Sequence, residues 1–401
     1  MNNSHHPARR LGMTVLTCLC FLPHTHARQH TTQWMSALYD SLQQATAHEL
    51  FTSAQLGMSV YDLTDNTPLF VHHARWRMRP ASTLKLITAI TALDELGCDH
   101  QLATRLYHTG HVADSTLWGD IYVEGGFDPT TGPAETEEMA QAIAAMGIDS
   151  IAGALCADIG MKDTLRWGSG WCWDDDMPPL TPLMYKRRQE FMPRLQQQLT
   201  AMGIASTQTI PHRHVPDSAT LLHQHLTPMH EVLQRMLKKS DNLYAEAMFY
   251  QLAAMGGRPF ASRRDANYRI ERLISRLGYD PGHYLIADGS GVSLYNYLTP
   301  ELEIAFLRYA YHHDNIYPAL YDALPIAGTD GTLKKRMRTG PAMGNVRAKT
   351  GTLEGVSSLA GYATAPNGHK LAFCIIIQGS EHGRDARDFQ DKVCQLLCSV
   401  Q

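Results

Sequence analysis

The stretch Pro80-Ala81-Ser82-Thr83-Leu84-Lys85 is the point from which the fold of this 401-residue chain can be inferred. Proline marks the start of a helix, and apolar residues then recur at helical spacing: Leu84, Ile87, Ile90 and Leu93. Ser82 would lie at the helix N-terminus, with Lys85 one turn later on the same face. A lysine with a lowered pKa can take the proton of a serine hydroxyl, and the pair has the S-x-x-K spacing of serine acyl-transferases. A capping serine followed by a surface lysine is the other interpretation of this pair alone.

The bulk composition is that of a globular protein with room for two domains, or for one large domain with an insertion. Hydrophobic residues make up 44% of the chain, charged residues make up 18%, and the net charge is −4. This balance gives no reason to expect a nucleic-acid partner or a solvating acidic tail. Beyond the N-terminal region we expect no membrane span, because no segment is long and apolar enough.

The N-terminal residues 1–27 have the pattern of an export signal. Arg9 and Arg10 precede an apolar run over 11–22, and small residues follow near 25–27, where cleavage would occur. The apolar run is short for a bilayer span. The sequence therefore predicts an exported protein, and a disordered N-terminal extension is the alternative.

The cysteines that remain after the predicted signal form no regular framework. They are Cys98, Cys156, Cys172, Cys374, Cys394 and Cys398. Because none of them belongs to a C-x-x-C pair, free buried thiols are favoured, although an oxidising compartment leaves one disulfide open.

The two ends of the chain predict one α+β domain with the middle of the chain inserted into it. A helix over 32–50 and a hairpin over 56–71 lead into the Ser82 helix. The C-terminal part predicts three strands and a last helix over 385–397, with Asn367-Gly368 as a hairpin turn. Together these elements would form a single antiparallel sheet covered by helices.

Two further motifs support a catalytic role for Ser82. Ser240-Asp241-Asn242 lies within a predicted helix over 226–250, and Lys349-Thr350-Gly351 opens a predicted strand. Each triplet is weak alone, since S-D-N also occurs at helix breaks and capped turns. The three motifs in this order, each in the expected context, indicate an acyl-serine enzyme.

The chain resembles the low-molecular-mass class C penicillin-binding proteins, which are the D-alanyl-D-alanine carboxypeptidases/endopeptidases of peptidase family S13. Besides the three motifs, the matching segments are Val123–Pro129, Asp288–Gly291 and Leu324–Leu333. The resemblance runs from about residue 34 to the C-terminus and is weakest over 130–220. It implies a serine β-lactamase/penicillin-binding-protein transpeptidase-like fold with an inserted smaller domain. It also implies a periplasmic, cell-wall-associated enzyme without a cofactor, which acts on peptidoglycan stem peptides and is acylated by β-lactam antibiotics.

The resemblance implies catalytic roles for five residues. Ser82 would be the acylated nucleophile, and Lys85 would be the base that activates it. Ser240 and Lys349 would form a second proton path to the leaving amine. Asn242 would hold an amide of the substrate. We also expect the charge of Lys349 to help keep Lys85 neutral.

The resemblance also implies substrate-binding roles around the K-T-G strand. The backbone N–H groups of Thr352 and of the nucleophile would form the oxyanion hole. Thr350 would receive the terminal carboxylate. Gly351 would leave room for the substrate at the strand edge. Asp241 is the last of the predicted substrate-binding residues, and its expected role is structural, namely to fix the turn of the S-D-N motif.

The chain departs from the family pattern in two places. The interval between Ser82 and Ser240 is shorter than in members that nest a third domain within the second, so we expect the third domain to be absent or vestigial. The predicted layout is therefore a signal peptide over 1–27, a catalytic domain over 28–103 and 213–401, and one inserted α/β domain over 104–212. The second departure is Tyr295, where the family usually has arginine.

The sequence leaves three alternative functions open. A serine β-lactamase would need an added glutamate for water attack, and no E-x-x-L-N pattern lies between Ser82 and Lys349. An inert cell-wall-binding protein would share the fold. Clustered histidines raise a zinc peptidase as a third alternative, but H-E-x-x-H is missing and surface histidines are favoured. These histidines are His72, His73, His212, His214, His223, His225, His312 and His313.

Tryptophans cluster at Trp167, Trp171 and Trp173. We expect them to pack between the inserted and main domains, with a sugar- or peptide-binding face as the alternative.

Overall fold

The computed structural model describes residues 24–175 and 177–400, together with Met1. The predicted signal peptide, 1–27, lies almost wholly outside the described residues, and it stays a prediction. Among the residues described, no helix has the length and the apolar character that a membrane crossing requires.

The described residues form twelve strands and ten α-helices, and the first and the last of these helices contact each other. The strands are β1 (Gln55–Asp62), β2 (Thr67–His72), β3 (Gln101–His108), β4 (His111–Ala113), β5 (Thr116–Trp118), β6 (Ile121–Glu124), β7 (Ser150–Asp158), β8 (Ala205–Ile210), β9 (Thr220–Pro228), β10 (Arg347–Leu353), β11 (Val356–Thr364) and β12 (Lys370–Gln378). The helices are α1 (His24–Ala45), α2 (Leu84–Leu96), α3 (Pro133–Ala144), α4 (Phe191–Ala201), α5 (Met229–Lys238), α6 (Asn242–Ala254), α7 (Arg263–Arg276), α8 (Pro300–Tyr311), α9 (Tyr317–Ala323) and α10 (Gly383–Ser399).

The first sheet is antiparallel and has the strand order β10-β11-β12-β1-β2. Its central strand β12 is an almost continuous apolar run, because both faces of the sheet are covered. Cys374 and Ile376 pack in the core that contains α2, α6 and α8, whereas Phe373 and Ile375 pack in the core that contains α1 and α10. The predicted α+β class and antiparallel sheet with helices on its faces are confirmed.

The predicted Asn-Gly hairpin is also present. β11 ends at Thr364 and β12 begins at Lys370, and Gly368 has φ +87° in the turn between them. Glycine adopts this left-handed conformation without the steric cost that a Cβ brings.

The second sheet has the strand order β4-β5-β7-β6-β3-β9, and β8 pairs with β7. Helices α3 and α4 pack on it around Phe191 and Leu195. This sheet begins at Gln101 and ends at Pro228, so it extends beyond the predicted insertion of 104–212 at both ends, because β9 pairs with β3. The division into domains stays a prediction.

The predicted helix over 226–250 is wrong in two respects. β9 extends to Pro228, and the remaining helical part is interrupted between the end of α5 at Lys238 and the start of α6 at Asn242. Ser240 has φ +57°, which a continuous helix excludes. The interruption gives the S-D-N motif a turn of its own.

Candidate active site

The segment that connects β2 to α2 contains a tight turn around Ser82, which we call the nucleophile turn. Ala81–Thr83 form a single 3-10 turn before α2 begins, so Ser82 lies just ahead of the predicted helix start. Ala81 has φ +50°, which is strained for a residue with a Cβ. The carbonyl of Pro80 holds this turn by accepting hydrogen bonds from Thr83 Oγ1 at 2.8 Å and from Ser358 Oγ at 2.5 Å. Ser82 is left partly exposed at a fixed position.

Lys85 is fully buried beneath the serine. Its Nζ donates to Ser82 Oγ at 2.8 Å, to Asn242 Oδ1 at 2.7 Å and to the carbonyl of Ser290 at 2.6 Å. Burial lowers the pKa of Lys85 to about 8, although the nearby carboxyls of Asp288, Glu246 and Asp241 act in the opposite direction. A neutral amine at this place can accept the Ser82 proton directly.

Lys349 forms a second buried contact with a serine. Its Nζ donates to Ser240 Oγ at 2.7 Å and to the Thr350 carbonyl at 2.6 Å. Burial, followed by the charge of Lys85, holds the pKa of Lys349 well below its usual value. Burial is the main cause of the lowered pKa of both lysines, and the repulsion between them, which acts on both, disfavours a second positive charge in the site.

The K-T-G strand β10 is the edge strand of its sheet and passes beside the nucleophile turn. A Cβ on Gly351 would lie 2.8 Å from the Pro80 carbonyl and 2.9 Å from the Ser82 amide nitrogen. Glycine is therefore required for the strand to pack against the turn, whereas the sequence suggested only that a side chain would block the substrate. Thr350 Oγ1 donates to Thr332 Oγ1 at 2.8 Å, and Thr352 is exposed.

The structure thus brings the predicted residues into two adjoining groups. Ser82, Lys85 and Asn242 form one group, and Ser240 and Lys349 form the other. The carboxylate of Asp241 is buried and accepts from the Leu243 amide at 3.2 Å, which makes Asp241 the N-cap of α6. Asp241 therefore shapes the turn.

Several residues of the site were not identified from the sequence. The carboxylate of Asp288 accepts from the amides of Gly291 and Ser293 at 2.8 and 2.7 Å and from the Asn296 side chain at 2.8 Å. These bonds hold the loop whose Ser290 carbonyl accepts from Lys85. The segment Asp288–Gly291 stood out in the sequence, but without a role.

Glu246 was also missed. It is fully buried, its Oε1 accepts from the Gly289 amide at 3.0 Å, and burial raises its pKa to about 8. Its spacing of four residues from Asn242 on α6 is the signal that could have identified it.

The pH dependence of acylation is expected to report the state of Lys85. Only the neutral amine accepts the Ser82 proton, so the acylation rate should rise with pH through a midpoint near 8. Glu246 titrates in the same range, so the midpoint is an apparent pKa of Lys85 and Glu246 together and not of Lys85 alone. The measurement is the second-order rate constant of acylation by a penicillin between pH 6 and 10.

Glu246→Gln is the informative companion variant in that experiment. It removes a negative charge that favours protonated Lys85, so the midpoint should move to lower pH. A flat profile, or a rate that falls as the pH rises from 6 to 8, would contradict the assignment of Lys85 as the base.

The clustered histidines lie outside the site around Ser82 and contact residues that do not belong to it. His73 stacks on Trp76, His214 contacts Asp158 and His225 faces Asp128. Within the described ranges, the group of three side chains close enough to hold a cation is Asp62, Asp65 and His369, which includes none of the predicted pairs.

The three clustered tryptophans are buried only in part, although we expected all of them to pack between the domains. Trp171 is partly buried and donates to Asp288 Oδ2 at 2.8 Å, but Trp167 and Trp173 are 57% and 97% exposed and so do not pack between domains.

The six cysteines described are free thiols. Four of them are buried, whereas Cys98 and Cys172 are exposed.

The chain as a whole is similar to a family of known enzymes. The model of the D-Ala-D-Ala carboxypeptidase 3 (S13) family matches residues 38–187 and 179–400. The D-alanyl-D-alanine carboxypeptidase DacB of Haemophilus influenzae is 24% identical over 82% of this chain and 86% of that protein. The D-alanyl-D-alanine carboxypeptidase of Actinomadura sp. is 26% identical over 80% of this chain and 77% of that protein.

Solved structures show the same fold. Penicillin binding protein 4 from H. influenzae superposes with a TM-score of 0.79 at 24% identity, covering 90% of this chain and 97% of that one. A predatory peptidoglycan endopeptidase from Bdellovibrio bacteriovorus superposes with a TM-score of 0.57 at 18% identity, covering 86% of this chain and 92% of that one.

Proposed function

The chain belongs to the D-Ala-D-Ala carboxypeptidase 3 (S13) family, and we propose that it cleaves D-Ala-linked bonds of peptidoglycan stem peptides through an acyl-enzyme on Ser82. The observation that carries this assignment is the contact of 2.8 Å between the buried Lys85 Nζ and Ser82 Oγ. The substrates are terminal D-Ala-D-Ala or D-Ala-linked cross-links, and both present the same carbonyl with different leaving amines. Penicillins acylate the same serine.

Acylation begins at the Ser82 hydroxyl. Neutral Lys85 takes its proton while Oγ bonds to the carbonyl carbon of the D-Ala residue, and the carbonyl π electrons move to the oxygen. The N–H groups of Ser82 and Thr352 receive that oxyanion. Asn242 uses its Oδ1 to accept from Lys85, and its Nδ2 donates to a carbonyl of the substrate.

The leaving amine is protonated from the second group. As the C–N bond breaks, Ser240 gives its hydroxyl proton to the departing nitrogen and takes a proton from the ammonium form of Lys349, with which it shares a hydrogen bond of 2.7 Å. The lowered pKa of Lys349 makes it a ready donor. Thr350 and the charge of Lys349 hold the terminal carboxylate.

Water completes the cycle. It attacks the acyl carbon and gives its proton through Ser240 to Lys349, and Lys85 returns its proton to the departing Ser82 Oγ. The substrate backbone lies along the exposed edge of β10, where an extended peptide can add to the sheet.

We also propose the arrangement around this centre. The precursor carries a signal peptide over 1–27 and the enzyme acts in the periplasm. A discontinuous catalytic domain over 28–103 and 213–401 surrounds an inserted domain over 104–212. The family membership and the curated bacterial carboxypeptidase relatives support export.

The test is labelling with a fluorescent penicillin, followed by peptide mapping and by an assay for D-Ala release from a peptide ending in D-Ala-D-Ala. A stable adduct on Ser82 with D-Ala release is the expected result. Rapid loss of the free antibiotic without a stable adduct would favour a β-lactamase. Absence of both reactions would favour an inert wall-binding protein, and inhibition by a chelator would favour a zinc peptidase.

A further inference from the structure

We propose that Arg187, on the segment that joins β7 to α4, is a positioning residue for the turn Ser240–Asn242, so that this segment completes the catalytic centre. The inference rests on the proposed function, because it concerns residues assigned to the same reaction. It adds a residue outside the three sequence motifs.

The contact between Arg187 and Asp241 is bidentate. Nη1 donates to Asp241 Oδ2 and Nη2 to Oδ1, both at 2.9 Å. The Asp241 side chain is only 5% exposed, whereas that of Arg187 is 40% exposed. A guanidinium that meets a nearly buried carboxylate in this way fixes both its position and its orientation.

The same carboxylate joins two different parts of the chain. Arg235 Nε, near the end of α5, donates to Asp241 Oδ2 at 3.0 Å, and the amide of Leu243 on α6 donates to Oδ1. These contacts are local to the interrupted helix. Arg187 is the partner that comes from a distant segment, 54 residues away along the chain.

The backbone around Arg187 is shaped for this contact. Lys186 and Arg187 have φ values of +47° and +66°. Tyr185 and Arg188 close the turn with a reciprocal pair of backbone hydrogen bonds of 2.8 and 3.0 Å, and the Lys186 amide donates to the Thr131 carbonyl at 2.9 Å. Two consecutive side-chain-bearing residues in the left-handed region need support from their surroundings, and such strain is concentrated at functional sites.

Asp241, whose carboxylate Arg187 binds, lies in the chain between two residues that contact the catalytic lysines. Ser240 precedes it and accepts from Lys349, and Asn242 follows it and accepts from Lys85. A shift of Asp241 therefore displaces both neighbours. A second contact from the same segment, Trp171 Nε1 to Asp288 Oδ2, supports the loop beneath Lys85.

Arg187 also influences the charge around Lys85. The groups that face Lys85 are the carboxyls of Asp241, Glu246 and Asp288, with Lys349 as the neighbouring cation. Removal of the Arg187 cation leaves the Asp241 charge less compensated. The protonated form of Lys85 is then favoured, so the midpoint of acylation should move to higher pH.

The experiment compares Arg187→Ala and Arg187→Lys with Arg188→Ala in the full chain. Arg188 is the matched control because its side chain is 77% exposed and approaches only Glu190, at 3.9 Å, among charged partners in the described part of the chain. We measure kcat and KM for a D-Ala-D-Ala-ended peptide and the pH profile of penicillin acylation. Arg187→Ala should lower kcat by about 10- to 100-fold and raise the midpoint, because misplacement of about 1 Å can cost 10²-fold. Arg187→Lys should restore part of the rate, and Arg188→Ala should match the wild type.

Amide hydrogen exchange of residues 240–245 provides a readout that does not depend on activity. Exchange there should be faster in Arg187→Ala than in Arg188→Ala, even if the wild type failed to react with penicillin and the proposed function were wrong. If Arg187→Ala does not fold, Arg187→Gln, which keeps the stem of the side chain, takes its place. An unchanged rate, pH profile and exchange pattern, or equal losses in the Arg188 control, would overturn the proposal.

Discussion

Replacement of Ser82 by alanine is expected to abolish acylation by penicillins and the release of D-Ala while leaving the fold intact. In the proposed reaction Ser82 Oγ is the atom that forms the covalent bond, and losses on the order of 10⁶-fold are known for nucleophilic serines. The fold should survive, because Ser82 is partly exposed and Lys85 keeps its contacts with Asn242 and Ser290. Loss of one hydrogen bond costs about 1 kcal/mol.

The measurement is fluorescent-penicillin labelling of Ser82→Ala beside Ser275→Ala, with thermal unfolding of both. Ser275 is an exposed serine on α7 and should label like the wild type. Residual labelling of Ser82→Ala in a folded protein would sink the assignment of the nucleophile.

Replacement of Lys85 is expected to lower acylation by several orders of magnitude, about 10³- to 10⁵-fold, because general-base activation of the serine is lost. Lys85→Met is preferred to Lys85→Ala, since it fills the buried volume with a side chain of similar length. The oxygens of Asn242 and Ser290 lose a donor at this site, so a moderate loss of stability accompanies the loss of rate.

The same variant tests the origin of the pH profile. Without Lys85 the remaining slow acylation should no longer rise through pH 8, whereas Lys335→Met, at an exposed lysine, should keep both the rate and the profile of the wild type. Near-normal turnover in Lys85→Met, or a midpoint that stays near 8, would contradict the role of the base.

Local patterns in the sequence were sufficient for much of the fold. The helix after Ser82, the hairpin at Asn367-Gly368 and the antiparallel sheet were all predicted, because periodicity and turn chemistry act over a few residues. They failed where local and tertiary preferences compete. At the interruption between α5 and α6, Asp241 pairs with Arg187 and Arg235, and helical spacing does not show such contacts.

By itself, the sequence determined which residues are candidates for the reactive groups and in what order they come: Ser82 with Lys85, the S-D-N triplet and the K-T-G triplet. The pairing of Ser82 with Lys85 was predictable because one helical turn separates them. Only the tertiary structure decided the surroundings of Lys85, because its burial lowers its pKa and its bonds to Asn242 and Ser290 reach residues 157 and 205 positions away. Only it could show the contact of Arg187 with Asp241, because a guanidinium and a carboxylate 54 residues apart leave no periodic mark in a single chain.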